Sequence, residues 1–230
     1  MNLLFPGLRL LGVLLVALFG CQCSTRNNAN SEVLVSVHDQ KMALIKDGQI
    51  QKVYPVSTSK YGLGNRSKSN KTPIGRFQVA EKIGDRAPSG AVFKGRKRTG
   101  EVVRPDAPGR DTIVSRILHL RGTEWRTRNT YSRCIYIHGT PEERFIGQPV
   151  SYGCVRMTSR DVIDLYDRLD EGASVRITTA PLPRRGAAIA PAPIKRVERV
   201  EQKLNVPVDN GAPLPDVMGR PDRYAMRTSL

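Results

Sequence analysis

Apolar and polar residues alternate along most of the chain between Glu32 and Thr178, which is the pattern of half-buried β-strands. The runs predict strands near 33–37, 42–44, 50–56, 77–83, 113–120, 132–138 and 174–178. The dipeptide Asp47-Gly48 separates two apolar runs and predicts a hairpin, because both central residues of such a turn need positive φ. The order of elements lacks the regular strand–helix alternation of a parallel α/β sheet.

A single segment, 159–169, has apolar residues every three or four positions, as an amphipathic helix requires. Thr158 and Asp161 have the spacing of a capping box before it, and Gly172 follows its last apolar residue. The chain is therefore predicted to be mainly β with one or two short helices.

The beginning of the chain has the composition of an export signal. The apolar run 10–19 is too short, at about 1.5 Å per residue, to cross a hydrocarbon core of about 30 Å. It ends in Leu-Phe-Gly-Cys, which resembles a bacterial lipoprotein box in which Cys21 becomes the first residue and carries the acyl chains. We expect a lipoprotein-type signal peptide over 1–20, lipidation at Cys21 and a polar tether over 21–31. Ordinary cleavage and a retained cytosolic chain are the alternatives.

The other end of the chain is rich in proline. Eight of the sixteen prolines fall in the last fifty residues, where they interrupt helices and cannot donate ladder hydrogen bonds. We expect residues 179–230 to form a basic, largely disordered tail. The formal net charge is +16, and most of it belongs to the part before this tail. Such a charge favours an anionic partner, which can be a nucleic acid, a lipid surface or an acidic polymer.

The residues whose side chains can take part in catalysis are concentrated between His138 and Met157. His138 ends the predicted strand 132–138, and Cys154 stands shortly before the capped helix, whose positive end is expected to lower the pKa of its thiol. Gly153 allows backbone amides to approach a reacting carbonyl closely. A histidine that accepts the thiol proton would complete a Cys–His nucleophile.

Other interpretations of these residues are structural. Cys134 and Cys154 can form a disulfide in an exported protein, and together with His138 they are a weak zinc candidate without a CxxC or HxxxH pair. His119 is expected to pack inside the domain. The basic cluster 94–98 is predicted to be a solvated loop or a contact to the cell wall, since it has no interleaved aromatic residues for nucleic acid. We expect no metal, no cofactor and no nucleic-acid partner.

The segment from His138-Gly139 to Ser151-Tyr152-Gly153-Cys154-Val155-Arg156-Met157 resembles the signature of L,D-transpeptidases with a YkuD-type catalytic domain. That signature is His-Gly, a loop, and then Ser/Thr-His-Gly-Cys-apolar-Arg/Asn. Upstream, the segment 72–77 (TPIGRF) resembles the T-P-x-G-x-F strand entry of the same family. The sequence departs from the family where Tyr152 replaces the usual histidine.

The resemblance implies a β-sandwich catalytic domain over residues 32–178 and a peptidoglycan stem peptide as substrate. Cys154 would attack a carbonyl of the stem and form a thioester, and His138 would accept and return the proton, oriented by the backbone carbonyl of Gly139. An amine acceptor would then receive the acyl group, in cell-wall cross-linking or in attachment of a wall protein. The resemblance assigns oxyanion or substrate binding to Ser151, Tyr152, Gly153 and Arg156, with locking of the loop as the alternative role of Arg156.

Two rival functions stay open at this point. The thioester can pass to water, which would make the protein an L,D-carboxypeptidase. The departure at Tyr152 also leaves a non-catalytic lipoprotein that binds peptidoglycan. All three functions imply a protein of the cell envelope, on the periplasmic side, and the lipoprotein box at Cys21 adds the expectation of a lipid anchor in the membrane.

Overall fold

The computed structural model describes residues 31–109 and 111–184. The predicted signal peptide, Cys21, nearly all of the tether and most of the tail lie outside these residues. In the described part of the chain, no helix has the length and the apolar character needed to span a membrane.

Ten strands, two short 3-10 turns and one α-helix make up the described domain. They follow the chain in this order: β1 (Ser31–Ser36), β2 (Lys41–Lys46), β3 (Gln49–Pro55), β4 (Gly75–Ile83), β5 (Ala91–Lys94), β6 (Lys97–Val102), β7 (Ile113–Gly122), a 3-10 turn (Trp125–Thr127), β8 (Tyr136–Gly139), a second 3-10 turn (Glu143–Phe145), β9 (Val155–Met157), α1 (Ser159–Arg168) and β10 (Ser174–Thr178).

The strands form one branched network of hydrogen bonds. Its main path runs β3-β2-β1-β10-β4-β7-β5-β6, and β8 joins it by pairing with β7 on one side and β9 on the other. The pairs β1–β10 and β8–β9 are parallel, whereas the other named pairs are antiparallel. The chain after β3 returns to β9, where Ser57 and Arg156 exchange two backbone hydrogen bonds of 2.9 Å. Strand β9 is therefore paired along both edges.

The main core collects side chains from most of the strands and from the inner face of α1. Each large apolar side chain buried in this way stabilises the fold by about 1.5–3 kcal/mol. Its largest fully buried members are Met42, Tyr54, Phe77, Leu118, Leu120, Ile137, Met157, Leu165, Leu169 and Ile177.

A smaller apolar cluster lies on the other face of β8. It contains Phe93, Ile117 and Tyr136, and Cys154 packs against it. Ile137, the residue after Tyr136, belongs to the main core, as expected for side chains that alternate across a strand. Strands β8 and β9 thus separate the main core from a second cluster that holds the candidate nucleophile.

The mainly β fold, the first hairpin and the helix are confirmed. Asp47 and Gly48 have φ of 53° and 74°, the positive values that the hairpin turn requires. Helix α1 begins after Thr158, whose side chain accepts a 3.1 Å hydrogen bond from the backbone N–H of Asp161.

Two local predictions are wrong. The strand predicted over 132–138 begins only at Tyr136, because Cys134 has a φ of 55° and its amide closes a turn onto the carbonyl of Tyr131 at 3.0 Å. The basic cluster 94–98, predicted to be a loop, is part of the β5–β6 hairpin with Gly95 and Arg96 at its turn. Every residue of β6 is exposed, so this strand has no alternation of apolar and polar residues from which it could be predicted.

Candidate active site

Cys154 lies directly before β9, with its sulfur between two backbone groups. The N–H of Tyr136 donates to the sulfur at 3.4 Å, and the thiol donates to the carbonyl of Cys134 at 3.4 Å. Burial raises the pKa of the Cys154 thiol to about 11, although the Tyr136 amide and the guanidinium groups of Arg156 and Arg133 act in the opposite direction. The thiol is therefore protonated at neutral pH.

The sequence-based expectation of a lowered thiol pKa is wrong. It placed Cys154 at the positive end of α1, but strand β9 lies between the cysteine and the helix. An extended strand rises by about 3.3 Å per residue, and the influence of a helix dipole falls off within its first turn. The cysteine thus lies beyond the reach of the helix, and burial in the apolar cluster decides its pKa.

His138 and Cys154 belong to one face of the β8–β9 pair. In the parallel register His138 lies opposite Arg156, and Ile137 lies opposite Val155. Because side chains alternate along each strand, His138 shares its face with Tyr136, the residue that packs in the same cluster as Cys154. The two residues that the family signature singles out are thus diagonal neighbours across two adjacent strands.

The imidazole of His138 is buried and held in one orientation. Its Nδ1 lies 2.8 Å from the backbone oxygen of Gly139, and since a carbonyl can only accept, the proton of the neutral ring is on Nδ1. Nε2 is therefore the basic nitrogen. Burial lowers the pKa of His138 to about 4, against the effect of the Gly139 carbonyl, so that the ring is neutral at pH 7.

Ser151 is fully buried and fixes the loop that leads to the cysteine. Its hydroxyl donates to the backbone oxygen of Cys154 at 2.6 Å and accepts from the N–H of Gly153 at 3.2 Å. Its own amide donates to the carbonyl of Thr58 at 2.9 Å. The Gly153 amide, an expected oxyanion donor, is thus engaged by Ser151 in this structure.

Gly153 occupies a backbone conformation and a space that suit glycine. Its φ is 121°, in the region that L side chains rarely adopt. A Cβ at this position would lie 3.3 Å from the carbonyl oxygen of Lys71 and 3.5 Å from that of Asn70. The loop 62–74 therefore closes tightly over the residue before Cys154.

Tyr152 lies at the rim of the site, with 54% of its surface exposed. Its hydroxyl accepts a 3.1 Å hydrogen bond from Nζ of Lys60, whose ammonium group also lies 4.4 Å from the centre of the ring. The ring of Tyr61 packs beside it with 5.7 Å between centroids. Where the family usually has a second histidine, this protein has a phenol paired with an ammonium group.

Arg156 is 4% exposed and extends toward carboxylates of the protein itself. Its guanidinium group binds Asp111 directly and lies 3.4 Å from the carboxylate of Glu142. Of the two roles expected for Arg156, these contacts favour the locking of the loops around the site. Neither acidic partner was found by sequence reasoning, because single acidic residues in loops have no periodic pattern.

Arg133 is a further residue that sequence reasoning missed. It donates to the carbonyls of Lys71 at 2.6 Å and Gly64 at 3.2 Å, and so fastens the loop 62–74 to the turn before β8. His119 packs inside the domain as expected, stacked on Tyr131 with ring centroids 3.9 Å apart.

Cys134 and Cys154 are both free thiols. Within residues 31–109 and 111–184, no group of three or more His, Cys, Asp or Glu side chains is arranged to hold a metal ion.

A comparison with protein families identifies the family of this domain. Residues 30–177 match YkuD, the L,D-transpeptidase catalytic domain. The chain belongs to this family. It is also 30% identical over 146 residues to "Putative L,D-transpeptidase YqjB" of Bacillus subtilis (strain 168), which covers 64% of this chain and 70% of that relative. In this L,D-transpeptidase domain, the His-Gly pair of the family signature ends β8 and its cysteine immediately precedes β9.

Solved structures with similarity to the chain include two L,D-transpeptidases. An L,D-transpeptidase from Mycobacterium smegmatis is 18% identical, with a TM-score of 0.42 over 65% of this chain and 58% of that one. The complex of the L,D-transpeptidase LdtMt1 with imipenem is 19% identical, with a TM-score of 0.42 over 65% and 59%. The chain thus spans less than two thirds of the length of these solved chains.

Proposed function

We propose that this protein is a cysteine-dependent peptidoglycan L,D-transpeptidase. Cys154 would form a thioester with a stem peptide and pass the acyl group to an amine acceptor, in cell-wall cross-linking or in attachment of a wall protein. Membership of the family supports this proposal. The single observation that carries it is the position of Cys154 and His138 on one face of two adjacent strands, with a neutral imidazole held by the Gly139 carbonyl.

In the resting protein, Cys154 is a protonated thiol and His138 is a neutral imidazole. Burial raises the pKa of the thiol and lowers that of the imidazole, and so disfavours the charged form of each group. The proton therefore moves from sulfur to Nε2 of His138 as the C–S bond forms, and not before the substrate binds. When the tetrahedral intermediate collapses, the C–N bond breaks and the imidazolium returns the proton to the leaving amine. The acceptor amine then repeats these steps in reverse on the thioester.

The negative oxygen of the tetrahedral intermediate needs hydrogen-bond donors, each of which contributes roughly 2.7–4 kcal/mol. The loop before the nucleophile supplies backbone amides at Gly153 and Cys154. The Gly153 N–H donates to the Ser151 hydroxyl in the resting protein. We propose that it binds the oxyanion only after this hydrogen bond has broken. We assign only an auxiliary part in this stabilisation to the hydroxyl of Tyr152, which lies exposed at the rim and accepts from Lys60.

We place the protein on the periplasmic side of the cell envelope, held to a membrane by acyl chains on Cys21. The apolar run 10–19 followed by Gly20-Cys21 supports this placement. Several acyl chains bind a bilayer firmly, since each buried CH₂ contributes about 0.8 kcal/mol.

Intact-mass measurement tests the chemistry. Wild-type protein is incubated with imipenem, or with a tetrapeptide donor together with an amine acceptor, and an adduct on Cys154 is expected with each donor. A cross-linked product supports transfer, whereas release of the shortened peptide alone identifies an L,D-carboxypeptidase. Absence of any adduct, together with binding to purified cell walls, would leave a non-catalytic binding protein.

A further inference from the structure

A groove of about 760 Å³ lies beside the Trp125–Thr127 turn and the end of β10, and the proposed mechanism does not use it. Its lining contains four arginines and a single acidic residue, so the groove is positively charged. The lining residues that matter here are Ile74, Arg76, Glu124, Trp125, Arg126 and Arg128.

The groove exposes an aromatic platform. Trp125 has 76% of its surface exposed, the largest fraction among the exposed large apolar residues of the described chain, and Ile74 beside it is 39% exposed. The guanidinium group of Arg128 lies 3.4 Å from the centre of the indole ring and donates to the Trp125 carbonyl at 3.0 Å. Stacking of this kind holds the ring in place and leaves it available on its other side. A flat apolar surface beside positive charges suits a ligand that combines an apolar face with carboxylates.

Two of the four arginines, Arg76 and Arg126, are open to an incoming anion. Arg76 lies 3.8 Å from the carboxylate of Glu124, and both side chains are more than two fifths exposed. An exposed pair of this kind contributes only about 0–1 kcal/mol, so that a ligand carboxylate can compete for the guanidinium group. Among the described residues, no carboxylate forms an ion pair with Arg126.

The groove is separated from the candidate active site by one loop. Gly64 and Asn65 of the loop 62–74 line the groove, whereas the Lys71 carbonyl of the same loop faces Gly153. Arg133 binds both ends of this loop, at Gly64 and at Lys71. A polymer with repeating units can therefore contact the groove while another of its units occupies the active site.

We propose that this groove binds a further unit of peptidoglycan, which is neither the stem peptide that acylates Cys154 nor the amine acceptor. The apolar face of a sugar ring would pack on Trp125, and carboxylates of the attached stem would pair with Arg76 and Arg126. This inference rests on the proposed function, because it takes the same polymer as ligand. It adds a recognition site for the disaccharide–peptide unit as a whole.

Trp125 is the only tryptophan of the chain, so its fluorescence reports on this groove alone. A disaccharide–tetrapeptide is titrated into the full chain carrying Cys154→Ala, which cannot be acylated. We expect a saturable change in fluorescence and, in Arg126→Ala and Arg76→Ala added to this background, a dissociation constant at least fivefold larger. Arg98→Ala is the matched control, because it removes the same charge from the exposed strand β6, outside the groove lining.

Three results would overturn the groove proposal. The first is a Trp125 fluorescence that does not change on titration, and the second is an equal weakening of binding in Arg98→Ala and Arg126→Ala. The third is equally tight binding of a glutamate peptide with the same charge, which would assign the groove to acidic peptides. Adduct formation with imipenem in the wild-type protein tests the nucleophile separately. An adduct without groove binding refutes this inference alone, and groove binding without an adduct refutes the proposed chemistry alone.

Discussion

The backbone N–H of Tyr136 lies 3.4 Å from the sulfur of Cys154, so strand β8 supplies a hydrogen-bond donor to the proposed nucleophile and, two residues later, the imidazole of His138. The donor belongs to the sheet and needs no rearrangement when negative charge develops on sulfur. Burial outweighs this donor in the resting protein and keeps the thiol protonated. The stabilisation is therefore expected to act mainly during the attack on the substrate.

Replacement of the two free cysteines separates the nucleophile from its neighbour. Cys154→Ala is expected to abolish acylation by imipenem, because it removes the attacking sulfur, and Cys134→Ala is expected to retain most of it. Cys134 contributes only its backbone oxygen to the contact with the thiol, and alanine keeps that oxygen. Intact mass measures both variants, and a variant with alanine at 154 that still forms the adduct would contradict the assignment.

The pH dependence of acylation distinguishes a base that acts during the reaction from a preformed ion pair. With a pKa of about 4 for His138 and about 11 for Cys154, neutral imidazole and protonated thiol both predominate from pH 5 to 9. The wild-type acylation rate is therefore expected to be nearly constant over this range and to fall as the pH approaches 4. The measurement is the pseudo-first-order rate of adduct formation with imipenem.

His138→Ala supplies the control for this profile. Loss of a positioned base is expected to slow acylation at pH 7 by roughly 10²–10⁴. The remaining reaction would need the free thiolate, whose fraction rises tenfold per pH unit below the thiol pKa. A variant rate that increases in this way supports the assignment of the base, and a wild-type rate that does the same would refute it.

Tyr152 tests how the protein works without the usual histidine. Tyr152→Phe removes an exposed hydrogen bond to Lys60, worth about 0.5–1.5 kcal/mol, so acylation is expected to slow by about tenfold at most. Tyr152→His restores the residue of the family and is expected to give an active protein. A Tyr152→Phe variant as slow as His138→Ala would show that the phenol takes part in the proton transfer.

Arg156 is expected to contribute to stability more than other paired arginines. Arg156→Met would leave Asp111 and Glu142 without their shared cation in a partly buried position, at a cost of about 3 kcal/mol in the free energy of unfolding. Arg168→Met is the matched control, because its pair with Asp164 lies on the surface of α1 and contributes about 0.3–0.5 kcal/mol. Urea denaturation followed by circular dichroism compares the two variants, and equal losses would argue against the locking role of Arg156.

The anchor prediction concerns Cys21. Cys21→Ser removes the site of acylation, so the processed protein is expected to move from the membrane fraction to the soluble envelope fraction. The apolar run 10–19 is too short to span a bilayer on its own. Fractionation followed by N-terminal analysis measures this, and unchanged membrane association of a correctly cleaved variant would contradict lipidation.

The sequence predicts those elements whose local pattern agrees with their final environment. Helix α1 has a stripe of buried residues and the Thr158 cap, and the first hairpin has Asp47-Gly48 at its turn. Strand β6 is different, because all of its residues are exposed and only the backbone pairing with β5 makes it a strand. Strand β9 has only three residues, too few for any periodicity to be recognised.

The residues of the candidate site likewise include some that the sequence predicts and some that it does not. Cys154, His138 and Gly139 lie in a contiguous motif, so a resemblance finds them. Lys60, Arg133 and Asp111 approach the motif from distant loops, and an isolated charged residue in a loop gives no sign of the residue it will contact. The pKa of Cys154 also depends on burial in a cluster that forms only when β5, β7 and β8 come together.

Backbone pairing on both edges of β9 has a consequence for the motion of the site. Amides in such a strand exchange with solvent only when a large part of the domain opens, whereas surface loops open at much lower free energy. We thus expect the short segment after Cys154 to be among the parts of the domain that resist local opening. For the proposed reaction, we therefore expect the loop 62–74 and the rim around Tyr152 to accommodate the entry of a donor and the departure of a product.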